Sequence, residues 1–526
     1  MPTLKKKTEA REAERAKLIQ ALSYLNVPQA LEMFWAVNML QSDKPPANIS
    51  RYLTYPASAA GAEIGTPNFA LKWEMENVIL LMLANATHGK KMVHPAEFRK
   101  FETACKIINQ YKTAKIAEND VLVNPDTVVA EMARYQMEQF LWQREFFHSQ
   151  RMHLYYFIYG QGECAAYFKQ KYGIGIDEFA LNCVGLYTHS QTVPWHGRPR
   201  LPDKGIALRQ DSLDRTVDLI SKELFGLREL TRERIDTLTA HNKSNLAYLP
   251  STLRQFPMIS SVAMENQFIA PFPQLIIFRA TSGLYFDLCD GPKKILEEAN
   301  DRFEQYGKML IEARCPRFKV MREQPFGTKK RPLKTPDLLV QDGGQITIVF
   351  ECKATKLTFQ AQYAENQYEV AAGAYDQIAK GMSQLWRFFA RARNGTYANI
   401  PVAPDAVGVV LTLESWFALT RQHLPVIRAK AEELCADEPN ILPEDRRDIV
   451  FCSIDDLDDV LAVSDEDQFM QTLRKSSLSE HDGWQLASIR NPSWEPPLER
   501  KAYPFHVGEI IPLWDEVSGS RRWKPK

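Results

Sequence analysis

The sequence predicts an α-helical amino-terminal region followed by an α/β domain in which helices flank a mixed sheet. Through about the first 270 residues, apolar side chains recur at helical spacing. Beyond that point, short β-branched and aromatic runs alternate with helical segments, a pattern typical of strands packed against helices. We expect a helical amino-terminal domain at 1–192, a helical linker region at 193–274, the α/β domain at 275–473 and a carboxyl-terminal extension at 474–526.

Six amino-terminal segments combine helix-forming residues with apolar spacing: 13–25, 30–40, 71–86, 98–111, 127–147 and 213–238. The proline- and glycine-containing stretch 193–202 is the best internal boundary. The string Gly160-Gln161-Gly162-Glu163-Cys164-Ala165 formally matches a dinucleotide-binding fingerprint. No β-α-β pattern follows it, so we interpret it as a turn between two helices.

Composition excludes several classes of protein. The 526 residues carry a formal net charge of zero, with 45% hydrophobic and 25% charged residues, as in an ordinary soluble globular protein. The eight cysteines form no Cys-x-x-Cys pair or zinc-type cluster, which argues against a zinc module or a disulfide framework and favours a reducing cytoplasm. Because no secretory segment or membrane-spanning run is visible, we expect a soluble cytoplasmic protein with no membrane partner.

Residues 336–353 predict a β-hairpin that ends in ionisable side chains. An apolar run at 338–340 leads into the turn signal Asp342-Gly343-Gly344, and a β-branched and aromatic run follows at 346–350. Side chains alternate along a strand, so Val349, Glu351 and Lys353 are expected on one face.

The register of this hairpin decides whether a second acid joins that face. A turn centred on Gly343 places Asp337 opposite Val349 and one diagonal step from Glu351. Asp337, Glu351 and Lys353 then point the same way. A slip of one residue would move Asp337 to the other face.

Carboxylates at the end of an apolar strand are costly unless something compensates their charge. The carboxylates of Asp337 and Glu351, with the backbone carbonyl of Cys352, would form an oxygen-rich site suited to Mg²⁺ or Mn²⁺. Lys353 could hold or help deprotonate an attacking water and offset phosphate charge.

Pro336-Asp337 followed by Glu351-Cys352-Lys353 resembles the PD-(D/E)xK nuclease superfamily. The resemblance implies a restriction-endonuclease-like fold and divalent-metal-dependent cleavage of phosphodiesters. It also implies metal ligation by Asp337 and Glu351, with Lys353 as the catalytic lysine. Large helical regions fused to this nuclease core are familiar in bacterial restriction and antiviral systems, where the helical part would sense a target or a protein partner.

The segment before the hairpin predicts one amphipathic helix at 292–313. Glu304 lies at the margin of its apolar stripe, with Gly307 one turn later leaving room beside it. An acid on this helix belongs to the superfamily pattern, so the resemblance implies that Glu304 is a third catalytic acid. The alternative is that Glu304 is a solvated charge, as we expect for Glu297, Glu298 and Asp301.

The segment after the hairpin predicts a second helix at 363–393, followed by buried strands at 405–413 and 448–454. Gln377 is our candidate nucleic-acid contact on this helix, because a glutamine there faces the phosphate in several branches of the superfamily. Lys380 and Gln384 are further candidates, and surface decoration is the alternative for all three.

A basic stretch leads directly into Pro336-Asp337. Within it, only Glu323 opposes seven cations: Arg317, Lys319, Arg322, Lys329, Lys330, Arg331 and Lys334. Backbone phosphates bind such cations, so we expect Lys329, Lys330, Arg331 and Lys334 to contact nucleic acid at the mouth of the metal site. A solubilising loop would have similar composition.

The sequence therefore predicts a Mg²⁺- or Mn²⁺-dependent nuclease that hydrolyses DNA, in restriction or antiviral defence. Two alternatives stay open: an RNA nuclease with the same site, and a non-catalytic nucleic-acid-binding or scaffold protein that keeps the fold. A protein partner or regulator bound to the helical region, and a homo-oligomer, are also open.

Overall fold

Helices account for most of the regular structure in this protein. The computed structural model describes residues 4–87, 94–122, 149–201, 208–240, 245–328, 331–354, 372–397, 399–414, 423–492 and 495–518. The predicted helix at 127–147 lies outside these residues.

The amino-terminal region is helical, as predicted. Its helices are α1 (Leu4–Ser23), α2 (Val27–Leu40), α3 (Lys72–Asn85), α4 (Phe101–Leu122), α5 (Ser149–Tyr159), α6 (Gly162–Tyr172) and α7 (Ile176–Ser190). Gly160 lies between α5 and α6, and Gly162 is the first residue of α6, so the interpretation of this segment as a turn between helices is confirmed.

The region predicted as a helical linker contains a small sheet as well as helices. The predicted helix at 213–238 is two helices, α8 (Gln210–Ile220) and α9 (Leu224–Ala240), separated by strand β1 (Ser221–Glu223). Strand β1 pairs in parallel with β2 (Met258–Ser261), which pairs antiparallel with β3 (Gln267–Ile269). Pairing with a strand distant in sequence here overrides local helical propensity.

The remaining elements form the α/β part of the chain. They are α10 (Gln274–Ala280), α11 (Leu284–Leu288), α12 (Lys293–Arg314), β4 (Lys319–Arg322), β5 (Pro325–Thr328), β6 (Arg331–Lys334), β7 (Leu338–Asp342), β8 (Gln345–Lys353), α13 (Ala372–Arg393), β9 (Val402–Thr412), α14 (His423–Leu434), β10 (Ile449–Ser453), α15 (Ile454–Ala462), α16 (Glu466–Ser476), α17 (Leu486–Arg490) and α18 (Trp514–Ser518).

Five of these strands form a mixed sheet in the order β10-β9-β8-β7-β4. Strands β4, β7 and β8 are antiparallel neighbours, whereas β8, β9 and β10 run parallel. Strands β5 and β6 form a separate two-stranded hairpin inserted between β4 and β7. The predicted helices at 292–313 and 363–393 and the two predicted strands match α12, α13, β9 and β10, with boundaries shifted by a few residues where they are described.

The two faces of the five-stranded sheet pack against different helices. Phe350 and Leu411 belong to the apolar core that includes Phe303 of α12 and continues into the amino-terminal helices. Val349 and Val410 belong to a second core formed with α13. The first core contains residues on both sides of the predicted boundary at 193–202, so apolar packing continues across it.

None of the helices within the described residues combines the length and apolar character needed to cross a membrane.

Candidate active site

The hairpin β7–β8 has a different register from the predicted one. Asp342 pairs with Gln345 around Gly343 and Gly344, whose positive φ angles of 56° and 86° suit a two-residue hairpin turn. A bulge between Val340 and Gln341 then shifts the pairing by one further residue.

As a result, Leu338 pairs with Phe350, and the preceding residue, Asp337, aligns with Glu351 rather than with Val349. The predicted position opposite Val349 is therefore wrong. The two one-residue shifts add to two, which returns Asp337 to the face predicted for it.

Asp337 is bound to the strand that carries the other ionisable groups. Its Oδ2 accepts a hydrogen bond from the backbone N–H of Cys352 at 2.7 Å. Its carboxyl group also lies within hydrogen-bonding reach of the Glu351 carboxyl. The structure thus brings together the two acids that were predicted to share a metal ion.

Glu351 and Lys353 share the face of β8 that α13 covers. Lys353 Nζ lies 3.0 Å from Glu351 Oε2, and their side chains are only 13% and 3% exposed. On α13, Gln384 Oε1 accepts a hydrogen bond from Lys353 Nζ at 3.2 Å. A Cβ atom added at Gly381 would lie 3.1 Å from Lys353 Cε, so the glycine allows α13 to pass close to the lysine.

Glu304 approaches this group from α12, which packs on the opposite face of the sheet from α13. Its Oε2 accepts a hydrogen bond from Arg322 Nη2 at 2.8 Å. Burial, together with the nearby Asp337 carboxylate, raises the pKa of Glu304 to about 7. Glu304 is therefore a partly buried acid beside the pair, not a solvated surface charge. The space near Gly307 is occupied, because Leu338 and Leu411 pack against this glycine.

The electrostatics of the site show a deficit of positive charge. Burial raises the pKa of Glu351 to about 8, where Lys353 opposes the shift and Asp337 adds to it. Burial also raises the pKa of Asp337, against the effect of Lys353 and the Cys352 N–H. Burial alone would lower the pKa of Lys353, but the Glu351 and Asp337 carboxylates outweigh it and raise that pKa. One lysine does not neutralise the acids that surround it.

The donor atoms at the site suit a hard divalent cation. The Lys353 carbonyl accepts a hydrogen bond from Leu413 N on the β9 side of the strand. The Cys352 N–H points to the opposite side, toward Asp337, and in an extended strand the carbonyl of the same residue points with it. Burial raises the pKa of the Cys352 thiol well above its ordinary value, so this residue offers its carbonyl and not a thiolate.

Asp337, Glu351 and the Cys352 carbonyl could together hold Mg²⁺ or Mn²⁺, with water and substrate filling the other positions. In the described part of the chain, no three His, Cys, Asp or Glu side chains are grouped in a way that could bind a metal ion. Glu304 is bonded to Arg322 in this arrangement.

The residues predicted to bind nucleic acid are only partly described. Lys329 and Lys330 lie outside the described residues, and Arg331 belongs to β6 but its side chain is not described. Lys334 is exposed and forms an ion pair with Glu323 at 2.8 Å. Gln377 is exposed on α13, one turn before Gly381.

Other cations of the basic stretch are neutralised by acids outside it. Arg317 Nη2 lies 3.1 Å from Asp342 and 2.6 Å from Asp467. Arg322 is bonded to Glu304 and Asp301. The apparent excess of positive charge in the sequence is therefore smaller among the described residues of the folded chain.

Two site residues did not receive their roles from the sequence. Gln384 was one of three candidates on its helix, and it is the one that contacts Lys353. Its spacing of seven residues from Gln377 and three from Gly381 places it on the same helix face as both, which was the signal available in the sequence. Arg322 was placed among general phosphate-binding cations, and nothing in the sequence pairs it with Glu304.

No protein-family model, curated protein or solved structure matches the chain.

Proposed function

We propose that the protein is a metal-dependent nuclease that hydrolyses phosphodiester bonds in DNA. The observation that carries the proposal is the grouping of Asp337, Glu351 and Lys353 at the ends of two paired strands. Two acids and a lysine, largely buried at one sheet end, are expensive to maintain unless they bind a cation and act on a charged substrate.

The order of elements around the site also supports the resemblance to PD-(D/E)xK nucleases. Helix α12 is followed by three antiparallel strands of the sheet, β4, β7 and β8. Helix α13 and the parallel strand β9 come next. This order extends the motif-level likeness to the helix-strand-helix core expected of the superfamily, with β5–β6 as an insertion.

A divalent cation held by Asp337 and Glu351 would supply Lewis-acid stabilisation of the scissile phosphate. The chain's own groups perform the remaining tasks. Lys353 donates to the attacking water or to a phosphate oxygen and offsets developing negative charge. Gln384 and Glu351 hold the Lys353 ammonium in position from two sides.

Glu304 has a different role in this proposal from the metal ligands. Its pKa of about 7 lets it exchange a proton near neutral pH, and it lies beside Asp337. It could accept a proton from the attacking water or extend the hydrogen-bonding of the bound substrate. Its bond to Arg322 keeps the carboxyl oriented.

A scaffold or binding protein that keeps this fold is the second candidate, because the Lys353–Glu351 pair is also a satisfied ion pair. Cleavage of RNA instead of DNA would use the same side chains. A restriction or antiviral role, with the helical region as a sensor or partner-binding part, extends the proposal by analogy with multidomain nucleases.

The test is incubation of the purified protein with plasmid, linear duplex, single-stranded DNA and RNA, with Mg²⁺, with Mn²⁺ and with a chelator. We expect ion-dependent cleavage of DNA that the chelator abolishes. Cleavage of RNA alone would change the substrate. Binding of nucleic acid without cleavage under any of these conditions would favour the scaffold.

A further inference from the structure

Arg322 lies at the same end of the sheet as the candidate active site. It is the last residue of β4, and its register partner on β7 is Leu338, the residue directly after Asp337. Its Nη2 donates to Glu304 Oε2 at 2.8 Å and to Asp301 Oδ1 at 2.5 Å. A guanidinium is thus placed beside an acid that is itself close to Asp337.

The hydrogen bonding of this guanidinium is incomplete. Both bonds to acids come from Nη2. The buried Nε has no hydrogen-bond partner among the residues that the structure describes. A buried donor without an acceptor is unfavourable, so the Nε edge is a position where an acceptor would be stabilised.

We propose that Arg322 binds a phosphate of the nucleic-acid backbone through its Nε edge. The identity of the ligand rests on the proposed function, whereas the position of the donor does not. The Nε and Nη2 groups form a planar fork that matches two phosphate oxygens, a geometry that lysine cannot reproduce.

The two acids bound to Arg322 differ in how easily a phosphate could replace them. The Asp301 side chain is 60% exposed, whereas that of Glu304 is 21% exposed. An arriving phosphate therefore displaces the contact with Asp301, and the contact with Glu304 is retained. In this arrangement Glu304 positions Arg322 for the substrate.

A purely structural role would make Arg322 only a link between α12 and β4. Arg317 is a matched control for that role, because its Nη2 also lies within 3.1 Å of two acids, Asp342 and Asp467. Arg317 precedes β4, and its partner Asp342 lies at the hairpin turn, at the other end of β7 from Asp337.

The experiment measures binding of a fluorescein-labelled DNA duplex in Ca²⁺ over a series of KCl concentrations. We expect Arg322→Ala to weaken binding about tenfold or more and to lower the slope of log Kd against log salt by about one. Arg322→Lys should keep the slope but recover only part of the affinity. Arg317→Ala should bind like the wild type, and Asp301→Asn should bind more tightly.

Wild-type affinity and slope in Arg322→Ala would overturn the inference, as would an equal loss in Arg317→Ala. If Arg322→Ala does not fold stably enough for the assay, Arg322→Lys and Asp301→Asn test the inference instead. Wild-type binding by both of these variants would overturn the inference. The absence of nucleic-acid binding by the wild type would overturn it as well. Binding without cleavage, with the expected Arg322 effects, would contradict the nuclease proposal alone.

Discussion

Asp337 Oδ2 lies 2.7 Å from the backbone nitrogen of Cys352, and this bond joins the acid before β7 to the end of β8. Asp337 itself is outside the paired residues of β7. The bond therefore sets the position of Asp337 relative to Glu351 and Lys353, the two side chains on either side of Cys352.

Asp337 should be needed for metal binding through its charge as well as its position. We expect Asp337→Ala and Asp337→Asn both to weaken Mn²⁺ binding by about tenfold or more, because a hard cation loses an anionic oxygen ligand. Isothermal titration calorimetry measures this affinity. Asp337→Asn retains an oxygen that can accept from the Cys352 N–H, so it separates loss of charge from loss of structure. Wild-type Mn²⁺ affinity in Asp337→Asn would contradict the assigned ligand.

The stability of the metal-free protein should fall as pH rises from about 4.5 to about 8. Burial raises the pKa of Glu351 from 4.5 to about 8, so the folded state binds its proton more tightly than the unfolded state does. The resulting stabilisation is fully present below the unfolded pKa and is lost as pH rises through the folded pKa. Thermal melting between pH 5 and 9 in a chelator tests this expectation.

Glu351→Gln is the control for that pH dependence, because an amide does not titrate. Its Tm should vary less with pH than that of the wild type. Added Mg²⁺ should raise the Tm of the wild-type protein most strongly at high pH. The apparent affinity of the wild type for Mg²⁺ should rise about tenfold per pH unit where binding of the ion displaces one proton. A Mg²⁺ effect independent of pH would argue against ion binding at these carboxyls.

Gly381→Ala should reduce cleavage although alanine favours a helix. The new Cβ would lie 3.1 Å from Lys353 Cε and 3.7 Å from Glu351 Cβ, so the lysine must shift. Gly185 on α7 is the matched control, since a Cβ there meets nothing within 4 Å. Gly185→Ala should raise stability by up to about 1 kcal/mol with unchanged activity. Equal gains in stability and full activity in both variants would show that α13 does not constrain Lys353.

The basic residues around hairpin β5–β6 should act on binding without regard to base sequence. Replacing Lys329, Lys330 and Arg331 with alanine should weaken binding to different DNA sequences alike and flatten its salt dependence, because phosphate contacts carry no base information. Fluorescence anisotropy with two unrelated duplexes measures both effects. An unchanged salt slope would make these residues a solubilising segment.

Strands β7 and β8 and their shared face could be predicted from the sequence because local signals specify them, whereas β4, β5 and β6 lie in a stretch that was predicted only as a basic loop. The Gly343-Gly344 turn and the apolar alternation of β8 are properties of neighbouring residues. The exact register could not be predicted, since the extra residue of the bulge, Thr347 of β8, interrupts the pairing of β8 with both β7 and β9. The prediction of a shared face was right only because the two one-residue shifts add to two. A shift of two residues keeps each side chain on the same face of the sheet.

Contacts between distant elements were the part of the site that sequence reasoning could not supply. The partners of Arg322 are on α12, and the partner of Lys353 on α13 is Gln384. The pairing of Ser221–Glu223 with β2 likewise depends on residues more than 30 positions away. Such contacts are decided by packing of whole elements, which helical or strand periodicity does not describe.

The central claim is that Lys353 acts in cleavage at a metal site held by Asp337 and Glu351. The most direct measurement compares wild type and Lys353→Ala for cleavage of a labelled DNA in Mn²⁺, beside Mn²⁺ affinity for both proteins. We expect the cleavage rate of Lys353→Ala to be lower by about 10²-fold or more, which is the loss typical of removing one positioned catalytic group. Its Mn²⁺ affinity should be retained. Wild-type cleavage by Lys353→Ala would contradict the account.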